Sequence, residues 1–223
     1  MTTQMCADAD EAVAGIENGS TVLVGGFGMA GMPVELIDAL IRQGAKDLTV
    51  VSNNAGNGDT GLAALLAKGR VRKVICSFPR QSDSWVFDEL YRGGRIELEV
   101  VPQGNLAERM RAAGAGIGAF FCPTGVGTLL AEGKETREID GRTHVLEYPI
   151  KGDVALIGAY RADRMGNLVY RKTARNFGPV MATAATTVIA QVREIVDTGA
   201  LDPETVVTPS IFVDRVVQEA GRA

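Results

Sequence analysis

Extended apolar runs are missing from this 223-residue sequence: stretches such as Ala119 to Cys122 fall far short of the roughly 20 residues a membrane-spanning helix needs. No membrane partner is therefore expected. Cysteine is scarce, and Cys6, Cys76 and Cys122 suit neither a disulfide framework nor a Cys-x-x-Cys metal site, so reduced thiols and no metal are expected. The one histidine, His144, lies in a charged stretch where a solvated or structural role outweighs catalysis, and a Ser-His-Asp triad is not expected. Basic side chains show no excess either. With 23 Lys and Arg against 27 Asp and Glu the net charge is −4, and no cationic run tracks a phosphate backbone, which argues against nucleic acid as a partner. The segment Met1 to Asp10 has neither a basic start nor an apolar stretch, so a cytoplasmic location is the expectation.

What is present is ordinary globular usage, 46% apolar and 22% charged, at a length that fits one domain spanning 1–223. Most of the 27 glycines stand singly at the ends of apolar runs, where strands hand over to helices. The pattern predicts a short acidic helix over Asp8 to Ile16 and a first strand over Thr21 to Gly25. A helix from Val34 to Ile41, ended by Gly44, follows. Strands at Leu48 to Val51, Val71 to Cys76 and Ile96 to Val101 then alternate with helices at Leu62 to Lys68, Ser82 to Tyr91 and Leu106 to Ala113. Such alternation implies an open α/β fold, a mostly parallel sheet with helices on both faces. From Cys122 to Tyr148 the pattern breaks into a charged excursion with a hairpin signal at Asp140-Gly141. Further strands are expected at Val154 to Ala159, Leu168 to Tyr170, Val188 to Gln191 and Thr208 to Val217.

The sharpest local signal is Gly25-Gly26-Phe27-Gly28-Met29-Ala30-Gly31-Met32-Pro33, between the first strand and first helix. It contains Gly26-x-Gly28-x-x-Gly31, the spacing of a dinucleotide-binding turn. Pro33 would fall inside the helix that such a turn opens, and the second strand ends in Ser52-Asn53-Asn54 rather than near a ribose-binding acid, so that reading is disfavoured. A plain structural turn and a ligand-binding loop remain. Location favours the ligand loop, because in open parallel sheets ligands sit beyond the carboxyl ends of the strands. Three more polar loops follow successive strands there, at Ser52 to Asn57, Ser77 to Gln81 and Val101 to Asn105. Together they offer amides and one arginine but no acid-base pair, half an active site with donors and no nucleophile.

Several of these segments resemble the A (α) subunit of the 3-oxoacid CoA-transferase family. They are Glu17-Asn18-Gly19-Ser20 with the glycine loop, Ser52 to Gly56, Pro102-Gln103-Gly104-Asn105-Leu106-Ala107-Glu108-Arg109, Pro123 to Thr128, and Gly166 to Phe177. The stretch Ser77 to Ser84 leans toward the 3-oxoadipate enzymes of that family. The resemblance implies CoA exchange between succinyl-CoA and 3-oxoadipate, with the CoA thioester as substrate and no permanently bound cofactor. It implies a glutamate nucleophile carried in a Ser-Glu-Asn-Gly motif of a separate B (β) subunit. No glutamate follows a serine in this chain, so no catalytic nucleophile is expected here and a heterodimer or heterotetramer is.

By the same resemblance Gly25, Gly26, Phe27, Gly28, Met29, Ala30 and Gly31 form the CoA-associated loop, and Asn53 and Gln103 line the acyl pocket. Asn53 also reads as a turn closure and Gln103 as a spacer behind the pocket. Arg80 enters on chemistry alone: a guanidinium there suits the second carboxylate of succinate and 3-oxoadipate, with a surface arginine as the competing reading. Arg171, Lys172 and Arg175 read either as cations for CoA phosphates or as a packed, subunit-facing helix end. Acetoacetate as acceptor, and a role as a non-catalytic CoA-binding module, are the alternative functions.

Overall fold

The computed structural model describes residues 2–221. Its central feature is a nine-stranded sheet. In chain order the strands are β1 (Gln4–Cys6), β2 (Thr21–Val24), β3 (Leu48–Ser52), β4 (Val71–Cys76) and β5 (Glu97–Val100). They continue, after a three-stranded insertion, with β9 (Gly152–Asp163), β10 (Leu168–Val169), β11 (Ala185–Val196) and β12 (Arg215–Gln218). The order across the sheet is β1-β12-β11-β9-β2-β3-β4-β5, parallel throughout, with β10 added antiparallel to β9. The helices are α1 (Ala9–Val13), α2 (Val34–Gln43), α3 (Leu62–Ala67), α4 (Trp85–Arg92), α5 (Gln103–Gly114) and α6 (Gly178–Ala184).

Strand residues alternate between faces, and each face buries its own core. Val22, Val24, Val50, Val74 and Leu156 pack against α1 to α4 through Leu36, Leu40, Leu65 and Phe87. Leu23, Val51, Ile75, Ala155 and Ile157 face α5 and α6 through Leu106, Met110, Val180 and Met181. The expected open α/β sheet, covered on both faces, is what forms.

The insertion is a three-stranded antiparallel sheet of β6 (Phe120–Cys122), β7 (Thr136–Ile139) and β8 (Arg142–Glu147). Asp140 and Gly141 make the β7–β8 turn at φ +50° and +71°, as their sequence signals. Other expectations need correction. Thr21 does not open the sheet, because Gln4–Cys6 pairs with β12 at one edge. The last strand is only Arg215–Gln218, since Pro209 breaks the run from Thr208. Helix α6, rich in small residues and begun by Gly178-Pro179, carries no helical apolar period and was not expected. Among the described residues no helix is long and apolar enough to cross a membrane.

Candidate active site

Because β2, β3, β4 and β5 are parallel neighbours, the loops that follow them share one sheet edge. Their side chains Phe27, Asn53, Ser77, Phe78, Gln81 and Gln103 line a cleft of about 510 Å³. Asn53 is its polar centre and is only 3% exposed. Its Oδ1 accepts from Ser77 Oγ at 2.8 Å and from Gln103 Nε2 at 2.7 Å, so three loops are cross-linked through one carbonyl. The Asn53 backbone oxygen also accepts from the N–H groups of Ser77 and Phe78. As oriented, the Asn53 Nδ2 has no protein acceptor among the described residues and remains a donor for a ligand.

The glycine segment makes its own small hairpin. Phe27 and Ala30 exchange backbone hydrogen bonds at 3.0 and 3.2 Å, with Gly28 at φ +59° on the tip. Phe27 and Met29 stand out from it, 52% and 63% exposed. Helix α2 begins at Val34, beyond Pro33, so no glycine lies in a helical first turn as a dinucleotide-binding turn would require. Asn176 clamps the hairpin across 150 residues of sequence: its Oδ1 accepts from Gly26 N–H at 3.1 Å and its Nδ2 donates to Ala30 O at 2.9 Å. Gly31, at φ +75°, threads between β9 and the turn containing Ala174. A Cβ on Gly31 would overlap the Ala174 carbonyl, and one on Gly158 would lie 2.6 Å from Gly31 O.

Candidate nucleophiles are placed unfavourably. Burial pushes the Cys76 thiol, beside Ser77, up to about 12, which suppresses thiolate. Glu147 is buried and taken by Lys134 at 2.9 Å and Asn105 at 3.3 Å. Its role is to fasten β8 to α5. Burial opposes ionisation of Glu99 on β5, yet hydrogen bonds from Lys73 and Arg109 outweigh it and hold its carboxyl below its ordinary range. Both carboxylates are held in ion pairs away from the cleft, whose lining among the described residues comprises amides, the Ser77 hydroxyl and two phenyl rings.

Residues 6–219 match the sequence profile of the family described as Coenzyme A transferase. The chain belongs to the coenzyme A transferase family. The A (α) subunit of the 3-oxoadipate CoA-transferase from Pseudomonas putida is 72% identical over 212 residues, 95% of this chain and 92% of that protein. The protein of the same name from Acinetobacter baylyi is 65% identical, covering 97% of this chain and 95% of its own length. The apoenzyme of the acyl-CoA transferase YdiF from Escherichia coli O157:H7 shares the fold, with a TM-score of 0.89 at 24% identity. All of this chain matches 48% of that one, so it spans about half the YdiF length.

In this coenzyme A transferase family member, Phe27, Asn53 and Gln103 meet at the cleft, whereas Arg80 does not join them. The Arg80 guanidinium lies on Asp88 at 2.7 Å, in the first turn of α4, where an anion already answers it. Arg171 lies over the Tyr160 ring at 5.7 Å, and Lys172 sits at φ +52° on an exposed turn. Arg175 instead lines a second hollow of about 500 Å³, which shares Phe27 and Gln103 with the first. The locking roles of Ser77 and Asn176 carry no local sequence signal, because each depends on a partner at least 24 residues away.

Proposed function

We propose that this chain is the α subunit of an enzyme that moves CoA from succinyl-CoA to 3-oxoadipate, acting as one domain in the cytoplasm. The observation that carries this reading is the cleft itself: loops after four parallel strands present amides and a hydroxyl, with no usable nucleophile beside them. The relatives that bear the name of the 3-oxoadipate CoA-transferase α subunit support the acceptor. A β subunit bearing Ser-Glu-Asn-Gly completes a heterodimer or heterotetramer and supplies the glutamate. CoA enters as a thioester substrate, and no cofactor is held permanently.

In this reading the partner's carboxylate attacks the succinyl thioester carbonyl, and the tetrahedral adduct expels CoA as thiolate, which leaves a succinyl-glutamyl anhydride. The thiolate then attacks the glutamyl carbonyl, releasing succinate and leaving a glutamyl-CoA thioester. 3-Oxoadipate repeats the two steps in reverse order and departs as 3-oxoadipyl-CoA. Negative charge develops on a carbonyl oxygen at each addition. Asn53 Nδ2 and the backbone N–H groups of Gly28 and Met29 at the hairpin tip are the donors this chain offers to that charge and to the incoming pantetheine, the N–H groups of Gly25, Gly26, Phe27 and Ala30 being bonded within the protein.

The test mixes the chain with its candidate β subunit, then follows CoA transfer from succinyl-CoA to 3-oxoadipate and, separately, to acetoacetate. Activity in the mixture alone, with 3-oxoadipate preferred, is expected. Preference for acetoacetate would overturn the acceptor, and no activity in any mixture would leave a CoA-binding module.

A further inference from the structure

We propose that the hollow between α5 and α6 seats the distal carboxylate of a dicarboxylic acyl group, with Arg175 as anchor and Arg111 as second cation. This deepens the proposed function and rests on it. The hollow adjoins the cleft, with Phe27 and Gln103 lining both. Along α5, Gln103, Ala107 and Arg111 recur at four-residue spacing and so form one stripe. All three line the hollow. The helix rises about 12 Å from Gln103 to Arg111, and long helical side chains lean toward the N-terminus. The Arg111 head therefore leans back toward Gln103.

The remaining walls fit methylenes. Phe177, Pro179 and Val180 face the stripe, and Ala107 leaves room between the Gln103 amide and the Arg111 guanidinium. Charge supplies the specificity. Arg175 takes part in none of the ion pairs formed among the described residues. Arg111 has only an exposed pair with Glu108 at 3.2 Å, an interaction that costs little to exchange for a ligand. Two guanidiniums at an apolar hollow, one of them unanswered, match a carboxylate that can be held bidentately. Succinate and 3-oxoadipate carry such a second carboxylate; acetoacetate does not. A CoA phosphate is the other anion with this chemistry, and the assay separates the two.

Arg175→Gln, Arg175→Lys and Arg111→Gln are assembled with the β subunit, once the wild-type pair has been shown to turn over succinyl-CoA and 3-oxoadipate. Failure of that control would sink the proposed function rather than this inference. In a ping-pong cycle kcat/KM for each substrate reports its own half-reaction. Arg175→Gln is expected to lower kcat/KM for 3-oxoadipate and succinyl-CoA by about ten- to hundredfold, as loss of a charged hydrogen bond does. Product inhibition by succinate should weaken in parallel, inhibition by free CoA should stay unchanged, and kcat/KM for acetoacetate, where it is turned over, should be unaffected. Arg175→Lys should recover part of the loss, and Arg111→Gln should show the same pattern at smaller amplitude. Weaker CoA inhibition with unchanged succinate inhibition would assign the cations to a phosphate and overturn the proposal. So would unchanged constants for both dicarboxylates.

Discussion

Replacing Gly31 by alanine tests whether the glycine hairpin is held in register by contact rather than by its own turn. At φ +75° an alanine pays about 1–2 kcal/mol of backbone strain, and its methyl would overlap the Ala174 carbonyl, adding about 1–3 kcal/mol of overpacking. Relief requires the hairpin to shift by about 1 Å, which pulls Gly26 and Ala30 off Asn176 and moves Phe27 from the cleft wall. Gly28→Ala is the matched control, at φ +59° with nothing within 4 Å of the added methyl, so only the strain applies. Steady-state CoA transfer by the assembled enzyme is the assay. Gly31→Ala should lose about 10²-fold in kcat/KM, the cost of a misplacement of that size, while Gly28→Ala stays within about tenfold of wild type. Gly158→Ala, whose methyl would press on Gly31 O at 2.6 Å, should resemble Gly31→Ala. Equal losses for Gly31→Ala and Gly28→Ala would refute the clamp, because strain alone would then explain both.

Asn53→Asp, which keeps an oxygen for Ser77 and Gln103 and removes the Nδ2 donor, should lower kcat by about 10²-fold, as removal of one oxyanion donor does; a loss within about threefold would remove Asn53 from the site. Glu147→Ala strands Lys134, while Arg109 keeps Glu99, at about 2–3 kcal/mol, less than for a fully buried pair because Lys134 keeps solvent. Thermal unfolding should fall by about 5–10 °C, and an unchanged midpoint would mean that this network does not hold the three-stranded sheet. Glu99 has a folded pKa below its ordinary 4.5, so its contribution to stability is complete above that value and disappears as pH falls through the lower folded one. Denaturant titrations of wild type and Glu99→Gln should therefore differ at pH 7 and converge in acid; a gap that persists at low pH would contradict the ion pairing.

The sheet was legible because Val22 to Val24, Val50 and Val51, and Val74 and Ile75 are compact runs of mostly β-branched apolar residues followed by polar or glycine-rich loops, the signature of strands buried on both faces. The cleft was legible for a topological reason: parallel strands place their following loops together, so Asn53 and Gln103 could be brought together before any contact was known. What escaped depends on distant contacts. Gln4–Cys6 is too short to show a period and becomes a strand only by pairing with β12. Asn176 lies 150 residues from the loop that it fixes. Arg80 lies in its expected loop but outside the cleft lining, paired with Asp88 eight residues on, a local pairing that the dicarboxylate chemistry obscured.

The central claim is that this chain contributes binding and donors while the partner contributes the nucleophile. The most direct measurement is the intact mass of both chains after brief incubation of the assembled enzyme with succinyl-CoA and rapid denaturation. One CoA adduct on the partner, mapping to the glutamate of its Ser-Glu-Asn-Gly motif and absent from this chain, is the predicted result. An adduct on this chain, at Glu147 or Cys76 for example, would contradict the account.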